Sequence, residues 1–295
     1  MASCSPADRV LRADGLLILV TTLAAAGWFF SLFSLRGMPS QLFIGARFLL
    51  AGIILCLWGW RPLRRLGRRH FWRAGATGVA MYVSITLWTL GVTASDNLGV
   101  GAFLCSLGNI MAPVIGWALY RIRIGAATWV AIAVASMGLA CLSLHNGAGF
   151  SPADLLFMAS ALTNSLYLNL NNRYVREIAP LPLAAVQLTV VGVLSLAVSL
   201  VWDRWPASVS LDIWGWFFAS VLIATSLRYF LLVKGQADAP ISHTAVIMNL
   251  EPVWTAILAS LCLGTSIGGM QRVGCGLIFL ALLLHHCPRP RKAGS

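Results

Sequence analysis

The sequence predicts an all-α membrane protein: ten transmembrane helices in two inverted five-helix repeats, with both termini cytoplasmic. Three observations predict it. Of 295 residues, 59% are hydrophobic and only 10% charged, with mean hydropathy +0.82. A soluble domain carries roughly 25% charged residues, so this chain could not cover its own surface in water. Apolar runs of about 20 residues, the length that spans a bilayer, recur along the whole chain between short joins. The Lys and Arg residues fall on alternate joins, which orients the spans.

The elements follow in order. A short polar segment, 1–14, precedes the first apolar run, 15–35. That run lacks a small-x-small cleavage site and more spans follow it, so it reads as a first membrane helix rather than a signal peptide. Span two, 39–60, is entered through Arg36-Gly37-Met38-Pro39. Spans three, four and five cover 72–92, 97–119 and 124–144, with joins at Asp96-Asn97 and Arg121-Ile122-Arg123. After Asn146-Gly147 come span six, 152–172, and span seven, 181–202, separated by Ala179-Pro180-Leu181-Pro182. Span eight covers 211–234, span nine 240–263 and span ten 270–287, with breakers at Asp238-Ala239-Pro240 and Gly268-Gly269. Lipid offers the backbone no hydrogen bonds, and no barrel-like alternation is present, so the spans are helices. The division into units is 1–14 as the N-terminus, 15–146 and 147–287 as the repeats, and 288–295 as a basic tail.

With the N-terminus inside, the inner joins hold Arg9, Arg12, Arg121, Arg123, Arg173, Arg176, Lys234, Arg289, Arg291 and Lys292. They also hold the run Arg61, Arg64, Arg65, Arg68, Arg69 and Arg73. The outer joins hold Arg36, Arg204 and Arg272. That asymmetry is the positive-inside pattern. It accounts for the net charge of +12 without nucleic acid, since the arginine run has almost no interleaved aromatics. The seven cysteines are odd in number, scattered, and form no CxxC. They read as small apolar residues rather than a disulfide framework or a zinc site. His285-His286-Cys287 reads as an interfacial run. No metal, cofactor or lipidation motif is expected.

The two halves are alike. The stretch 111–119 in span four answers 250–258 in span nine, each with a Pro-Val step, at Pro113 and Pro252. Trp28 and Pro39 have a looser counterpart in Asn171 and Pro182. A repeat of five spans is odd, so its second copy inserts upside down. Inverted repeats with a mid-membrane site between them are a transporter pattern, and Pro113 and Pro252 are expected to break their helices at mid-span.

In their order and spacing, several residues resemble the drug/metabolite transporter superfamily, in its EamA-type branch. They are Gly27-Trp28, Pro39 and Arg47; Pro113-Val114; Leu250-Glu251-Pro252-Val253; and Gln271 with Gly274. The resemblance covers essentially the whole chain. It implies a ten-helix carrier of two inverted repeats in a bacterial inner membrane, moving small metabolites by alternating access, often outward. Members handle amino acids, nucleotide sugars, sugar phosphates and drugs. Many members carry a glutamate after the fourth and ninth helices, where this chain reads Tyr120-Arg121 and Gly264-Thr265. The position in the second half that aligns with Arg47 is Val190.

Charges within spans cost about 2.5–3.5 kcal/mol each on insertion scales, so the few present are candidates. Glu251 lies about 16 Å along span nine at 1.5 Å per residue. Steps of four place it on a face with His243, Ile247 and Thr255. It is either a proton-coupling group, a counter-charge for a substrate ammonium, or a structural partner of Arg47 or Arg228. Arg47, about 12 Å into span two, suits a carboxylate or phosphate, or else an ion pair. Arg228, near the inner end of span eight, suits a gate or substrate contact, or else snorkels to the interface. Span six carries a polar stripe of Ser160, Asn164, Tyr167 and Asn171, which is either a water-accessible cavity lining or glue between helices. Asn109 is a similar position in span four. Trp28, Trp88 and Trp254 lie deep, as cavity walls or as packing. The remaining tryptophans cluster near span ends, as interfacial belts.

These features predict a secondary transporter, and specifically an exporter of an amino acid or derivative, by alternating access with proton coupling or exchange. A multidrug or cationic-compound carrier is the alternative, and an intramembrane enzyme a distant third. No Walker motif is present and no paired catalytic set is evident, so enzymatic activity is not expected. The expected partners are a small-molecule substrate, the lipid bilayer and protons, with no nucleic acid, in a monomer or weak dimer.

Overall fold

The computed structural model describes residues 6–94, 98–121, 125–143, 151–263 and 269–286. The predicted joins at Asp96-Asn97, Arg123, Asn146-Gly147 and Gly264-Thr265, together with Cys4, Cys287 and the tail, lie outside the described residues. The described residues are helical, with no strand among them.

Helix α1 runs Pro6–Ser34, starting well before the predicted 15. From Ala13 it packs: Ala13, Asp14 and Leu17 are buried, with Leu17 and Ala13 beside Gly235 of the later chain. Helix α2, Ser40–Trp58, begins after Pro39 and ends at Gly59, whose N–H bonds Leu55 O at 2.8 Å. A short helix that the sequence did not reveal, α3 (Trp60–Arg64), turns the chain into α4, Arg68–Ala94. Helices α5, Leu98–Tyr120, and α6, Ala126–Ser143, complete the first half. Arg121 follows α5 with φ +52°, the left-handed conformation that commonly closes a helix.

Helix α7, Pro152–Tyr174, opens with a capping box in which the Ser151 N–H donates to Asp154 Oδ2 at 2.6 Å. Helix α8 covers Pro180–Trp202. Just beyond it, Asp203 Oδ2 accepts the Leu42 N–H at 2.7 Å. A carboxylate from the second half thus satisfies the start of α2, where Pro39 offers no side-chain cap.

The predicted span eight is one continuous run in three parts. These are α9 (Leu211–Val221), a π-helical segment (Leu222–Leu227) and α10 (Arg228–Asp238). Span nine is broken into α11, Ile241–Met248, and α12, Glu251–Leu263. The last helix, α13, covers Gly269–His286.

The two prolines behave differently. Before Pro252 the ladder tightens: Asn249 N bonds Val246 O at 3.2 Å and Leu250 N bonds Ile247 O at 2.9 Å. Helix α11 stops there, and α12 restarts with Pro252 in its first turn, where a missing N–H costs nothing. Pro113, by contrast, does not break its helix: α5 continues through it, contrary to the sequence expectation. Side chains of α7 serve the carbonyls beside it. Ser165 Oγ donates to Gly108 O, and Asn169 Nδ2 donates to Ala112 O at 2.7 Å.

The packing of the second half mirrors that of the first. Helix α2 lies on α8, and α6 on α13; α4 lies on α7 as α10 lies on α1. Helix α5 lies on α7 as α11 and α12 lie on α1, and α4 meets α8 as α9 meets α2. The α2–α8 crossing is close because it is lined by glycine: a Cβ on Gly192 would collide with the Leu49 backbone. Two apolar cores result, one around α2, α4 and α8, the other around α1, α11, α12 and α13, and Tyr229 packs against both. By length and composition, Val10–Ser34, Ser40–Trp58, Pro180–Trp202 and Leu211–Asp238 can each cross a membrane. Shorter apolar stretches lie in α5, α6 and α13.

Candidate functional site

The break in span nine makes Glu251 the first residue of α12. A helix N-terminus favours negative charge there. Two donors from other helices close on the carboxylate. Trp28 Nε1 on α1 donates to Oε1 at 3.2 Å, and an Arg228 terminal nitrogen donates to Oε2 at 3.3 Å. The side chains of Arg228 and Glu251 are 17% and 22% exposed, so the pair is lined by protein yet not sealed.

Arg228 turns its guanidinium to Glu251. Helix α10 extends beyond the predicted end at 234 to Asp238, which sets Arg228 further from the end of its helix. Its guanidinium carbon lies 5.1 Å from the Tyr229 ring. Among the described residues its Nε is buried without a hydrogen-bond partner, as is the hydroxyl of Tyr167, which lies within electrostatic reach of the same guanidinium. Trp28 in turn meets Trp88 of α4 edge-on, with ring centroids 5.1 Å apart. Glu251, Arg228, Trp28, Trp88 and Tyr167 thus converge from α12, α10, α1, α4 and α7.

Arg47 is buried beside them without a carboxylate. Among the described residues, no acidic oxygen lies within 4.0 Å of it. Its Nε donates to Thr225 Oγ1, one terminal nitrogen to Ser31 Oγ at 2.8 Å, and the other to Ala224 O at 3.3 Å. The rings of Phe43 and Phe48 lie 5.5 and 5.8 Å away. Guanidinium has five N–H donors, so the bonds to Thr225, Ser31 and Ala224 leave donors over.

Thr225 and Ala224 belong to the π-helical segment. Its hydroxyls bond back to their own chain, Thr225 Oγ1 to Ser220 O and Ser226 Oγ to Val221 O, both at 2.8 Å. Such π turns recur at functional positions. Sequence reasoning missed it; the signal was Ala224-Thr225-Ser226, small and self-bonding side chains in mid-span. Gly27 admits this segment: a Cβ there would sit 2.7 Å from Ala224 Cβ.

His243 is not a partner of Glu251. The break after Met248 removes the shared helical face on which they were expected. His243 Nδ1 instead lies 3.2 Å from Asp14 Oδ1 on α1. Trp254 Nε1 donates to Thr21 Oγ1 at 3.1 Å. Asp14, Thr21 and Trp28 are two helical turns apart and share a face of α1, which therefore touches both pieces of the broken helix.

The polar stripe on α7 divides. Asn171 is fully buried and donates to Gln236 Oε1; its own Oδ1 accepts from Gln187 Nε2 at 2.7 Å, which also donates to Thr77 Oγ1 at 2.8 Å. Ser160 exchanges hydrogen bonds with Ser84 of α4. These contacts join helices. Asn164 and Asn109 are half-buried. Away from this cluster, an open crevice of about 850 Å³ lies between the ends of α1 and α9, lined by Phe33, Arg36, Asp212 and Trp216 among others. It shares no lining residue with the Glu251 cluster.

Comparison with known proteins is consistent across the chain. The EamA-like transporter family model matches it twice, over residues 11–144 and 151–285. An "Uncharacterized transporter" of Archaeoglobus fulgidus is 25% identical over 70% of this chain and 66% of its own length. "Uncharacterized transporter YyaM" of Bacillus subtilis is 29% identical over 45% of this chain. The matches thus span 66% and 44% of these relatives. A protein of known crystal structure shares the fold with TM-score 0.79 at 16% identity, over 96% of this chain and 97% of that one.

Proposed function

The chain belongs to the EamA-like transporter family, a family of membrane transporters, and from that premise we propose that it is a secondary carrier exporting an amino acid or a derivative. The single observation that carries this reading is the Trp28–Glu251–Arg228 cluster. It holds one acid and one guanidinium side by side, at the break of a helix, between elements of both halves. A zwitterion needs both charges: its ammonium would take Glu251, and its carboxylate would take Arg228 Nε and the Tyr167 hydroxyl, which have no hydrogen-bond partner among the described residues. A sugar phosphate would call for more deep cations than these.

The carrier works by alternating access, with ten spans, repeats at 15–146 and 147–287, and both termini in the cytoplasm of a bacterial cell, in its inner membrane, as a monomer or weak dimer. Glu251 is the group that exchanges a proton, since protonation would release both Arg228 and Trp28. A gradient or exchange drives transport. A second reading is favoured by one observation. The Trp28–Trp88 pair beside Glu251 is also suited to an organic cation held against aromatic faces.

Liposomes with imposed gradients decide between them. Export or counterflow of amino acids supports the first reading, and flux confined to hydrophobic cations supports the second. Inertness towards a broad panel of metabolites and drugs would overturn both.

A further inference from the structure

We propose that the arginine-rich turn between α2 and α4, with the apolar groove that it lines, is a binding site for an anionic phospholipid. Gly59 ends α2 against Leu181, and α3 folds back so that Leu63 and Leu66 pack on the core. That leaves Arg61, Arg64, Arg65, Arg68 and Arg69 exposed. Among the described residues none of them lies within 4.0 Å of a carboxylate. The neighbouring Arg73 is different, because it is taken by Glu177. A cluster of like charges this dense repels itself, and the protein supplies no counter-ion, so the anion comes from outside.

The surroundings say what carries that anion. Trp58, Trp60 and Trp72 are exposed on the same segment, as at a membrane–water interface. Arg64 lies over the Trp60 ring at 4.5 Å, its guanidinium backed by an apolar surface. A groove of about 110 Å³ adjoins it, lined by Cys56, Leu63, Phe71, Val186, Thr189 and Val190. Its hydroxyl is already engaged, since Thr189 Oγ1 donates to Ala185 O at 2.8 Å. Apolar cavities near this size stay dry and take hydrocarbon. An acyl chain fills the groove while the phosphate takes the arginines in paired hydrogen bonds. A free phosphate would leave the groove empty, and a neutral lipid would leave the cations unpaired. The groove is walled by α2 and α8, one helix from each half, so the lipid sits at their crossing.

The test uses full-length protein stripped of lipid in neutral detergent. Native mass spectrometry then compares retention of dioleoylphosphatidylglycerol and dioleoylphosphatidylcholine. The anionic lipid should be held preferentially. Replacing Arg64, Arg65 and Arg68 together by Gln should weaken it about a hundredfold, at roughly fivefold per cation near an anionic surface. These side chains are exposed, so the packing survives their loss. Val190→Trp, which fills the groove and spares every arginine, should also weaken lipid retention, and glycerol 3-phosphate should not displace the lipid. Equal retention of the two lipids overturns the proposal. So does unchanged retention in either variant, or displacement by glycerol 3-phosphate, which would mark a site for free phosphate.

Discussion

Trp28 donates its indole N–H to Glu251 at 3.2 Å, across 223 positions of sequence. Glu251 holds Arg228 on its other oxygen. One carboxylate thus ties α1, α10 and α12 together, and its charge is what holds the tie.

Neutralising that charge tests both of its proposed roles. Glu251→Gln should abolish flux driven by a pH gradient and weaken substrate counterflow in proteoliposomes, because the substrate ammonium loses its counter-charge. Wild-type pH-driven flux would remove the proton role, and wild-type counterflow would remove the ammonium contact.

Arg47 makes its contacts from every nitrogen of its guanidinium. Arg47→Lys keeps the charge but cannot reach Thr225, Ser31 and Ala224 O at once. Losing hydrogen bonds to a charged group costs about 1.5–3 kcal/mol each, so thermal unfolding in detergent should shift down by several degrees. An unchanged midpoint would show that the clamp on the π-helical segment contributes nothing to stability.

The Gly27–Ala224 contact offers a reciprocal test. Gly27→Ala should destabilise by about 1–3 kcal/mol through overpacking. Ala224→Gly in the same chain removes the atom that the new Cβ meets, and should recover most of the loss. Additive losses would mean that α1 does not press on the π-helical segment in solution.

The buried network of Thr77, Gln187, Asn171 and Gln236 predicts a stability effect without a transport effect. Asn171→Ala strands polar groups on both glutamines, at about 1–3 kcal/mol. Flux per folded molecule should stay at the wild-type level. A change in substrate affinity with unaltered stability would instead place Asn171 in the substrate path.

Asp14 and His243 join α1 to α11 and should behave as one unit. In a double-mutant cycle of Asp14→Asn and His243→Gln, the coupling should be about 0.5–3 kcal/mol, the range for residues in contact. Simple additivity would dissolve the pair.

The membrane character, the helical class and the two related halves were legible in the sequence, because scarcity of charge and recurrence of apolar runs are properties of composition and order. So was the short list of charges that lie within the apolar runs. Partnerships were less legible. Periodicity placed His243 and Glu251 on one helical face, but it assumes an unbroken helix, and the chain turns at Asn249-Leu250 between them. Pro113 and Pro252 look alike in sequence. One lies within a continuous helix and the other in the first turn after a break, a difference that local sequence does not carry. The distance of Arg228 from the end of α10 depended on where that helix stops, which hydropathy located at 234 rather than Asp238. The π-helical segment was invisible to a 3.6-residue period.

Asp14, Thr21 and Trp28 make α1 a splint laid across the fracture between α11 and α12. Each piece is fastened to it separately, α11 by His243 and α12 by Trp254 and Glu251. The two ends of the broken helix therefore do not depend on one contact for their hold on α1.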